Sequence, residues 1–420
     1  MQTQTAAANG TQAAPPTWAG EMRFVARQPI MNLHGHVHGY ELLFRSAPEA
    51  DANPGADMAT RTMLDNAVMF GLESLTNGLP AFVNCSAEAL TEDLVLVLAP
   101  QMTVLSVPAS LEVTSRLLEC CHKLKSRGFR FALEDFSWKA DLRPLAELAD
   151  YIRLNFKQFG AAERHYLGSR DPATLSMVAK RVETQEDYQN AREDGFTLFQ
   201  GSYFIHPILL KKRKVPANRL LHFEIVRLLH HDPIDVPQVS RLVLRDASLT
   251  YRLLRLVNSP IYAIQQEVRS IESAIIALGE DTLRRIVSLA VLSELNGQEP
   301  PEILHMALLR ARFCELAAGF CKLDPAEQYL LGMLSLVPAM LRMPMEELTP
   351  SLPLRAEICE ALQGTMNPER CLLDWVESHE RGDWELCDLI ALSSGLKLEQ
   401  LMRCYAESVV WAGAALRSAA

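Results

Sequence analysis

Histidine is the residue type whose spacing in this sequence comes closest to that of a metal site. His34, His36 and His38 alternate along the chain, so their side chains could share one face of a strand and hold zinc. Gly35 and Gly39 are interleaved with them, and this composition is typical of a polar hairpin turn. We favour the hairpin.

An adjacent His–Asp pair stands at His231 and Asp232, after His230 and just before Pro233. A metal that uses such a pair needs a second His and Asp from other helices. The second half of the sequence offers His305 but no obvious Asp partner for it. We therefore interpret the run as a solvated helix end.

Charge and cysteine content exclude several classes of function. The formal net charge is −10, and the dense basic run Lys211–Lys214 is typical of a solvated linker, so we expect no nucleic-acid binding. The nine cysteines are odd in number and include no CxxC pair, which indicates reduced thiols. No apolar run reaches the roughly 18 residues that span a membrane. We expect a cytoplasmic protein without a membrane partner, in which residues 1–20 form a disordered tail.

Two kinds of element must position the candidate residues. Between about residues 22 and 207, short β-type runs alternate with helical stretches such as 57–75 and 116–125. The runs Phe24–Ala26 and Tyr40–Phe44 flank a turn-rich segment and predict a hairpin. Further strands are predicted at 81–84, 103–107, 129–133, 151–154 and 197–199. This alternation predicts parallel strands covered by helices, in a barrel or an open sheet.

The second half of the chain has a different pattern. After Pro216 the strand signals disappear, and apolar residues follow helical spacing through 217–300. The boundary between the two patterns lies near 205–216, and no internal repeat is visible.

Several short motifs of the first half follow one another in a characteristic order. They are Ala26–Ile30, Gly39–Arg45, Phe82–Asn84, Phe131–Phe136, Ile152–Leu154, Val182–Thr184 and Phe199–Gly201. The series resembles EAL domains, which are (β/α)-barrel phosphodiesterases of cyclic di-GMP. EAL chemistry uses two divalent metals, held by oxygen ligands at the carboxyl ends of the strands.

The resemblance implies a vestigial ligand-binding site with five matching residues. Glu41 and Asn84 match metal-ligand positions, and Asp135 matches the second of two paired aspartates. Arg45 matches an arginine that contacts ligand phosphate. Gln200 matches a glutamine near the base or the water.

Other positions depart from the EAL pattern. The first of the paired aspartates is Glu134, the lysine that steadies the attacking water is Arg153, and an aspartate two positions later is Asn155. The metal-binding glutamate of the family's Ala-Glu-Gly-Val-Glu-Thr motif is Lys180, a cation that opposes metal binding.

One further metal-ligand position has two candidates. Leu111–Thr114 looks like the family's Leu-Glu-Ile-Thr, which would place the glutamate at Glu112. The resemblance, aligned without gaps from Asn84, instead implies that this position is Ser106, in a run with better strand character. We favour Ser106.

Three interpretations of this site stay open. Glu41, Arg45 and Lys180 form a buried ion network that only maintains the fold, or the site binds a nucleotide without hydrolysis, or some catalysis remains. We favour the first.

A second series of motifs runs through the second half. It consists of Asp246–Leu249, Arg252–Ser259, Ser270–Ile271, Ala274–Ile275 and Leu278–Arg284. The series resembles the HDOD domain, a helical relative of HD phosphohydrolases without their metal ligands, over about residues 205–395. The C-terminal residues also resemble the end of EAL–HDOD proteins.

The two resemblances together predict the architecture. They imply an α/β domain, a TIM-like degenerate EAL barrel, over 21–207, followed by an all-α HDOD domain with a helical extension over 208–420. The function they predict is non-enzymatic bacterial signal transduction or scaffolding, with a cyclic di-GMP-related sensor that acts through protein–protein contacts. The alternatives are a weak cyclic di-GMP phosphodiesterase and a module that binds cyclic di-GMP without hydrolysis.

The same resemblances predict the ligands and partners. We expect no catalytic residue, no metal and no cofactor, with Mg²⁺ or Mn²⁺ bound only if the barrel site still functions. The expected partners are signalling proteins that bind the HDOD domain, cyclic di-GMP, and a second copy of the chain by analogy with EAL domains that pair.

Overall fold

The chain forms a strand-rich half followed by a helical half. The computed structural model describes residues 24–45, 72–135, 143–160, 175–204, 217–229, 234–258, 268, 270, 273–274, 278–297, 299–352 and 354–419. Most of the predicted helix 57–75, the basic run at 211–214 and the His–Asp run at 230–232 lie outside the described residues.

Eight strands close into a barrel in chain order. They are β1 Phe24–Asn32, β2 Val37–Arg45, β3 Ala81–Asn84, β4 Thr103–Pro108, β5 Arg130–Glu134, β6 Tyr151–Asn155, β7 Ser176–Lys180 and β8 Leu198–Gln200. β1 is antiparallel to both of its neighbours, β2 and β8, and the other pairs are parallel. The predicted strands all overlap observed ones, and the predicted α/β barrel is confirmed.

The turn between β1 and β2 explains the alternating histidines. The Asn32 side chain accepts hydrogen bonds from the backbone N–H groups of His34 and His36, at 2.9 and 3.0 Å. Gly35 has φ +73°, a left-handed conformation that glycine adopts without strain. The predicted hairpin is confirmed, and the segment does not form a zinc site among the described residues.

Five helices of the strand-rich half are described. They are α1 Leu72–Thr76, α2 Ala87–Thr91, α3 Ser115–Ser126, α4 Arg143–Leu148 and α5 Gln185–Glu193. Local chemistry determines where they begin: the Thr114 hydroxyl caps α3, and Thr184 and Asp187 form a capping box on α5.

The helical half comprises twelve described helices. They are α6 Ala217–Leu229, α7 Val236–Val243, α8 Ala247–Val257, α9 Glu280–Asn296, α10 Pro301–Cys321, α11 Pro325–Leu334, α12 Val337–Leu341, α13 Met345–Leu348, α14 Ala356–Leu362, α15 Cys371–Arg381, α16 Trp384–Ser393 and α17 Leu398–Ala419. Aspartate side chains cap α7, α8, α11 and α16 by accepting backbone N–H bonds. The predicted all-α second half is confirmed.

Helix α10 is the centre of the helical half. It is apolar nearly all round, as expected of a helix surrounded by other helices, and it packs against α11, α15 and α17. Gly332 of α11 allows a close approach, because a Cβ there would lie 2.5 Å from the backbone oxygen of Arg310. Among the described residues, no helix is long and apolar enough to cross a membrane.

The β1–β2 hairpin also contacts the helical half. Tyr40 of β2 donates a hydrogen bond of 2.7 Å to the Glu302 carboxylate of α10. The Arg27 guanidinium of β1 lies 2.6 Å from Nδ1 of His305 on the same helix. All four side chains are buried, so the two halves share a polar interface that excludes water.

Candidate functional site at the ends of the barrel strands

The interior of the barrel is built in two layers. The lower layer is apolar and consists of Ile30, Phe82, Val104, Ala132, Tyr151, Val178 and Leu198. Because side chains alternate along a strand, the residues two positions away from these also point inward. They form a polar layer towards the carboxyl ends of the parallel strands: Gln28, Asn84, Ser106, Glu134, Arg153, Lys180 and Gln200. Glu41, paired with Gln28 in the β1–β2 register, joins this layer.

Arg153 lies at the centre of the polar layer and is fully buried. One terminal nitrogen donates to the Glu41 carboxylate at 3.2 Å, to the Ser106 hydroxyl at 3.3 Å and to the Glu134 carboxylate. The other donates to Glu41 at 2.6 Å and to the Gln200 carbonyl oxygen at 2.8 Å. The planar fork of arginine therefore binds both carboxylates at once.

The remaining members of the layer complete these contacts. The Gln200 amide donates to Glu41 at 2.6 Å, and the Asn84 amide donates to the same carboxylate at 3.4 Å. The Lys180 ammonium donates to the other oxygen of Glu134 at 2.7 Å. Lys180 is the more accessible of the two cations, because 24% of its side chain is exposed and none of the Arg153 side chain is.

The ion pairs determine the charge states of the cluster. Burial alone would raise the pKa of Glu41, but the charge and hydrogen bonds of Arg153, aided by Lys180, lower it to about 2. Burial would lower the pKa of Arg153, and the charges of Glu41 and Glu134 raise it instead. Glu41 and Arg153 are therefore both charged at pH 7, and their charges compensate each other.

This donor set does not fit the two-metal site that the resemblance to EAL domains implies. Both carboxylates that face the centre are already ion-paired with Arg153. The described residues contain no group of three or more His, Cys, Asp and Glu side chains that could hold a metal ion. A divalent metal would have to displace an internal cation, so we derive no step through a metal.

The structure brings together most, but not all, of the predicted site residues. Glu41, Asn84 and Gln200 lie in the cluster, together with the substituted positions Ser106, Glu134, Arg153 and Lys180. Asp135 is exposed at φ +49° and takes no part in it. The side chain of Arg45 lies outside the described residues.

The two candidates for one metal-ligand position lie in different places. Ser106 is on β4, fully buried and in contact with Arg153. Glu112 is exposed in the segment between β4 and α3. Two members of the predicted ion network, Glu41 and Lys180, lie in the observed network, in which Arg153 and Glu134 connect them. The part of that prediction that concerns Arg45 falls outside the described residues.

Sequence reasoning misses the role of one member of the cluster and the presence of another. The resemblance places Arg153 at the position of a lysine, but it does not indicate that Arg153 makes most of the contacts. Gln28, whose carbonyl oxygen accepts a 3.0 Å hydrogen bond from Gln200, was not singled out. The period-2 alternation of β1 indicates it, because Gln28 lies two positions from the inward-facing Ile30.

Comparison with known proteins identifies one matching family model and two proteins of similar sequence. A family model described as the HDOD domain matches residues 216–344. A protein of Vibrio cholerae named cyclic di-GMP phosphodiesterase CdgJ is 33% identical over 92% of this chain and 92% of its own length. The uncharacterised protein YuxH of Bacillus subtilis is 31% identical over 92% of this chain and 97% of its own.

Solved structures similar to this chain include EAL domains. The PaMucR phosphodiesterase in complex with cyclic di-GMP covers 47% of this chain and 99% of its own, with a TM-score of 0.36 and 20% identity. The FimX EAL domain covers 43% of this chain and 89% of its own, with a TM-score of 0.36 and 17% identity.

The relationship to CdgJ corrects one prediction. A relative that is 33% identical over 92% of the chain carries the name of an enzyme, so the prediction that this chain is not an enzyme is wrong. That prediction rested on single substitutions such as Lys180. A substitution changes which side chains can bind a ligand, but it does not take the site apart. The buried, ionised Glu41 still accepts a hydrogen bond from its neighbour Gln200.

The comparisons and the fold together identify the family. Two relatives match over 92% of this chain, the HDOD model matches residues 216–344, and a closed barrel precedes that match. The chain belongs to the EAL–HDOD family.

Proposed function

We propose that this protein is a cyclic di-GMP phosphodiesterase that acts in bacterial signal transduction. The observation that carries the proposal is the full-length similarity to the relative named CdgJ. The polar layer of the barrel supports it, because ionised carboxylates, amides and cations converge at the strand ends where (β/α)-barrel enzymes place their active sites.

Lys180 is the residue that we assign to substrate binding. Its ammonium is the partly exposed cation of the cluster, at the carboxyl end of β7. A phosphodiester carries one negative charge, and Lys binds phosphate as a point charge. The Lys180 ammonium donates to Glu134, and in this proposal its exposed side binds the anionic phosphate of the substrate.

Arg153 has a positioning role in this proposal. It is fully buried, and its five contacts fix Glu41, Glu134 and Gln200 relative to one another before substrate arrives. Such preorganised dipoles and charges do not need to reorient during a reaction. Glu41 stays ionised at neutral pH because its pKa is about 2.

The test is hydrolysis of cyclic di-GMP by the purified full-length chain. Formation of the linear dinucleotide is followed by chromatography with Mg²⁺, with Mn²⁺ and with a chelator. We expect turnover, and we expect Glu41→Gln to reduce it about 100-fold, the loss typical when one preorganised polar contact is removed. Glu112→Gln is the matched control, because it makes the same chemical change on an exposed residue outside the cluster.

Two results would contradict the proposal. If wild-type protein binds cyclic di-GMP in calorimetry but never hydrolyses it, the barrel is a binding module and the catalytic part is wrong. If it neither binds nor hydrolyses the nucleotide, both parts are wrong. Binding of signalling proteins by the helical half, pairing of two chains and a cytoplasmic location stay predictions from the resemblance.

A further inference from the structure

The side chain of Gln28 connects the barrel cluster to the helical half. It lies on β1 and is half-buried. Its carbonyl oxygen accepts a hydrogen bond from the Gln200 amide at 3.0 Å, and its own amide donates to the backbone oxygen of Glu380 at 3.3 Å. Gln28 therefore contacts the polar layer with one end and α15 with the other.

The order of donors and acceptors along this connection is fixed. Arg153 can only donate, so the oxygen of Gln200 must face it and the nitrogen of Gln200 must face the other way. That nitrogen donates to Gln28, so the oxygen of Gln28 faces Gln200 and its nitrogen faces Glu380. If either amide were reversed, one N–H donor would face another. Only this orientation of the two amides satisfies all of their hydrogen bonds.

The acceptor on α15 is held rigidly. The last carbonyl groups of a helix lack donors within it, and Glu380 is in the last turn of α15. The Glu380 carboxylate is bound by Arg310 of α10, at 2.6 Å from one terminal nitrogen. Arg310 also donates to Glu377 at 3.0 Å and to Ser335 at 3.2 Å. Both Arg310 and Glu380 have under a tenth of their side chains exposed.

The neighbours of Gln28 fix the same hairpin from its other face. Because side chains alternate, Arg27 and Tyr40 point away from the barrel interior and contact His305 and Glu302 of α10. The hairpin is thus attached to α10 outside the barrel and to α15 through Gln28.

We infer that Gln28 is a positioning residue through which the helical domain holds Gln200 and Glu41 in the barrel site. Without the α15 carbonyl, the Gln28 nitrogen loses its acceptor, and the side chain is held at one end only, by its hydrogen bond with Gln200, so that it is free to turn away from the barrel cluster. Gln200 then loses one of the two acceptors of its amide and keeps only Glu41. The expected effect on substrate binding and turnover rests on the proposed function. The expected loosening of Gln200 and Glu41 does not depend on it.

The first experiment needs no ligand. Hydrogen exchange is measured by mass spectrometry in the full-length chain for peptides that cover β8 and the end of α15. Gln28→Met keeps the length of the side chain and removes both hydrogen bonds. We expect exchange to become roughly fivefold faster at both places, the change that corresponds to one neutral hydrogen bond.

Gln328 provides the matched control. It is a buried glutamine of α11 whose amide donates to the backbone oxygen of Glu369, within the helical half, at 3.2 Å. Gln328→Met should speed exchange in the helical half alone. Unchanged exchange at β8 in Gln28→Met, or an equal change there in Gln328→Met, would overturn the inference. Gln28→Asn, whose shorter amide cannot span both partners, replaces the Met variant if that variant does not fold.

The second experiment separates this inference from the proposed function. Affinity for cyclic di-GMP and the parameters kcat and KM are measured for both variants. We expect Gln28→Met to lower kcat more than it raises KM, because Glu41 and Gln200 lose their alignment, and Gln328→Met to change neither. If the wild type does not bind the nucleotide, the proposed function fails and the exchange result decides the inference by itself. Wild-type kinetics in Gln28→Met would overturn its positioning role.

Discussion

At the scale of single residues, Arg153 determines how the polar side chains of the barrel site are arranged. The resemblance to EAL domains implies a lysine here, and a lysine would bring one ammonium to the centre. The guanidinium instead binds two carboxylates, a hydroxyl and an amide oxygen at once. Residue type alone indicated that the position had changed, but the identity of its partners required the three-dimensional structure, since Glu41 lies 112 positions away.

Removal of Arg153 should destabilise the protein strongly. Arg153→Met leaves two buried carboxylates without their shared cation, and breaking a buried ion pair in this way costs about 3–5 kcal/mol. The free energy of unfolding, measured with urea at pH 7, should fall by that amount. Lys123→Met is the control, because its ion pair with Asp93 is exposed and should contribute under about 1 kcal/mol. Equal losses in the two variants would contradict this account.

His379 should make stability depend on pH. It is fully buried, neither ring nitrogen has a hydrogen-bond partner among the described residues, and burial lowers its pKa to about 3. The folded protein keeps the ring neutral, whereas the unfolded chain takes up a proton below its ordinary pKa of 6.5. Stability is therefore present above pH 6.5 and is lost as the pH falls, by about 2 kcal/mol at pH 5.

Urea unfolding at pH 7 and at pH 5 checks this dependence on His379. The ring lies between Trp375 and Tyr405, with ring centroids 4.9 and 4.0 Å away, so phenylalanine suits the same aromatic surroundings. His379→Phe should remove about 2 kcal/mol of the loss on acidification. His305, whose pKa is also lowered by burial and by Arg27, remains in both proteins. An unchanged pH dependence in the Phe variant would show that His379 is not responsible.

At the scale of elements, strands were predictable and their assembly was not. Local alternation and the order of short motifs were enough to place β3, β4 and β6 in the sequence. The period of two also indicates that Gln28, two positions from Ile30, faces the barrel interior. What the period cannot indicate is that the end of α15 lies within reach of Gln28, because 352 positions separate Gln28 from Glu380.

The end of α15 should be sensitive to substitution at Gly382. This residue has φ +71°, and a Cβ there would lie 2.7 Å from Cδ1 of Leu43 on β2. Gly364 is a suitable control, since it has φ +92° and open space around it. Each change to alanine should cost about 1 kcal/mol for the backbone conformation.

The contact with the barrel distinguishes these two glycines. Gly382→Ala should lower the free energy of unfolding more than Gly364→Ala, by at most about 1 kcal/mol, because the end of the Leu43 side chain must move. Combining Gly382→Ala with Leu43→Ala should remove that additional penalty. Identical effects of the two glycine substitutions in thermal unfolding would show that the end of α15 is not packed closely against Leu43 of β2.

At the scale of the whole molecule, the described residues form three apolar clusters, and a polar interface joins the barrel to the helical half. One cluster lies inside the barrel, one around its strands and one around α10. The change in sequence pattern near 205–216 predicted two parts, since strand and helix periods differ on either side. The interface was not predictable, because Tyr40, Glu302 and His305 are ordinary residues of their own elements until the two parts meet.

The strength of this interface is testable by a double-mutant cycle on Tyr40 and Glu302. The tyrosine hydroxyl donates to a buried carboxylate at 2.7 Å, and hydrogen bonds to charged groups contribute about 1.5–3 kcal/mol. Urea unfolding of the wild type, Tyr40→Phe, Glu302→Gln and the double variant should give a coupling energy in that range. The exposed pair of Lys123 and Asp93, also at 2.7 Å, should give under about 1 kcal/mol in the same kind of cycle. If both cycles gave the same small coupling, Tyr40 and Glu302 would not hold the barrel and the helical domain together. The connection through Gln28 would then have to be maintained by other parts of the interface, such as the contact between Arg27 and His305.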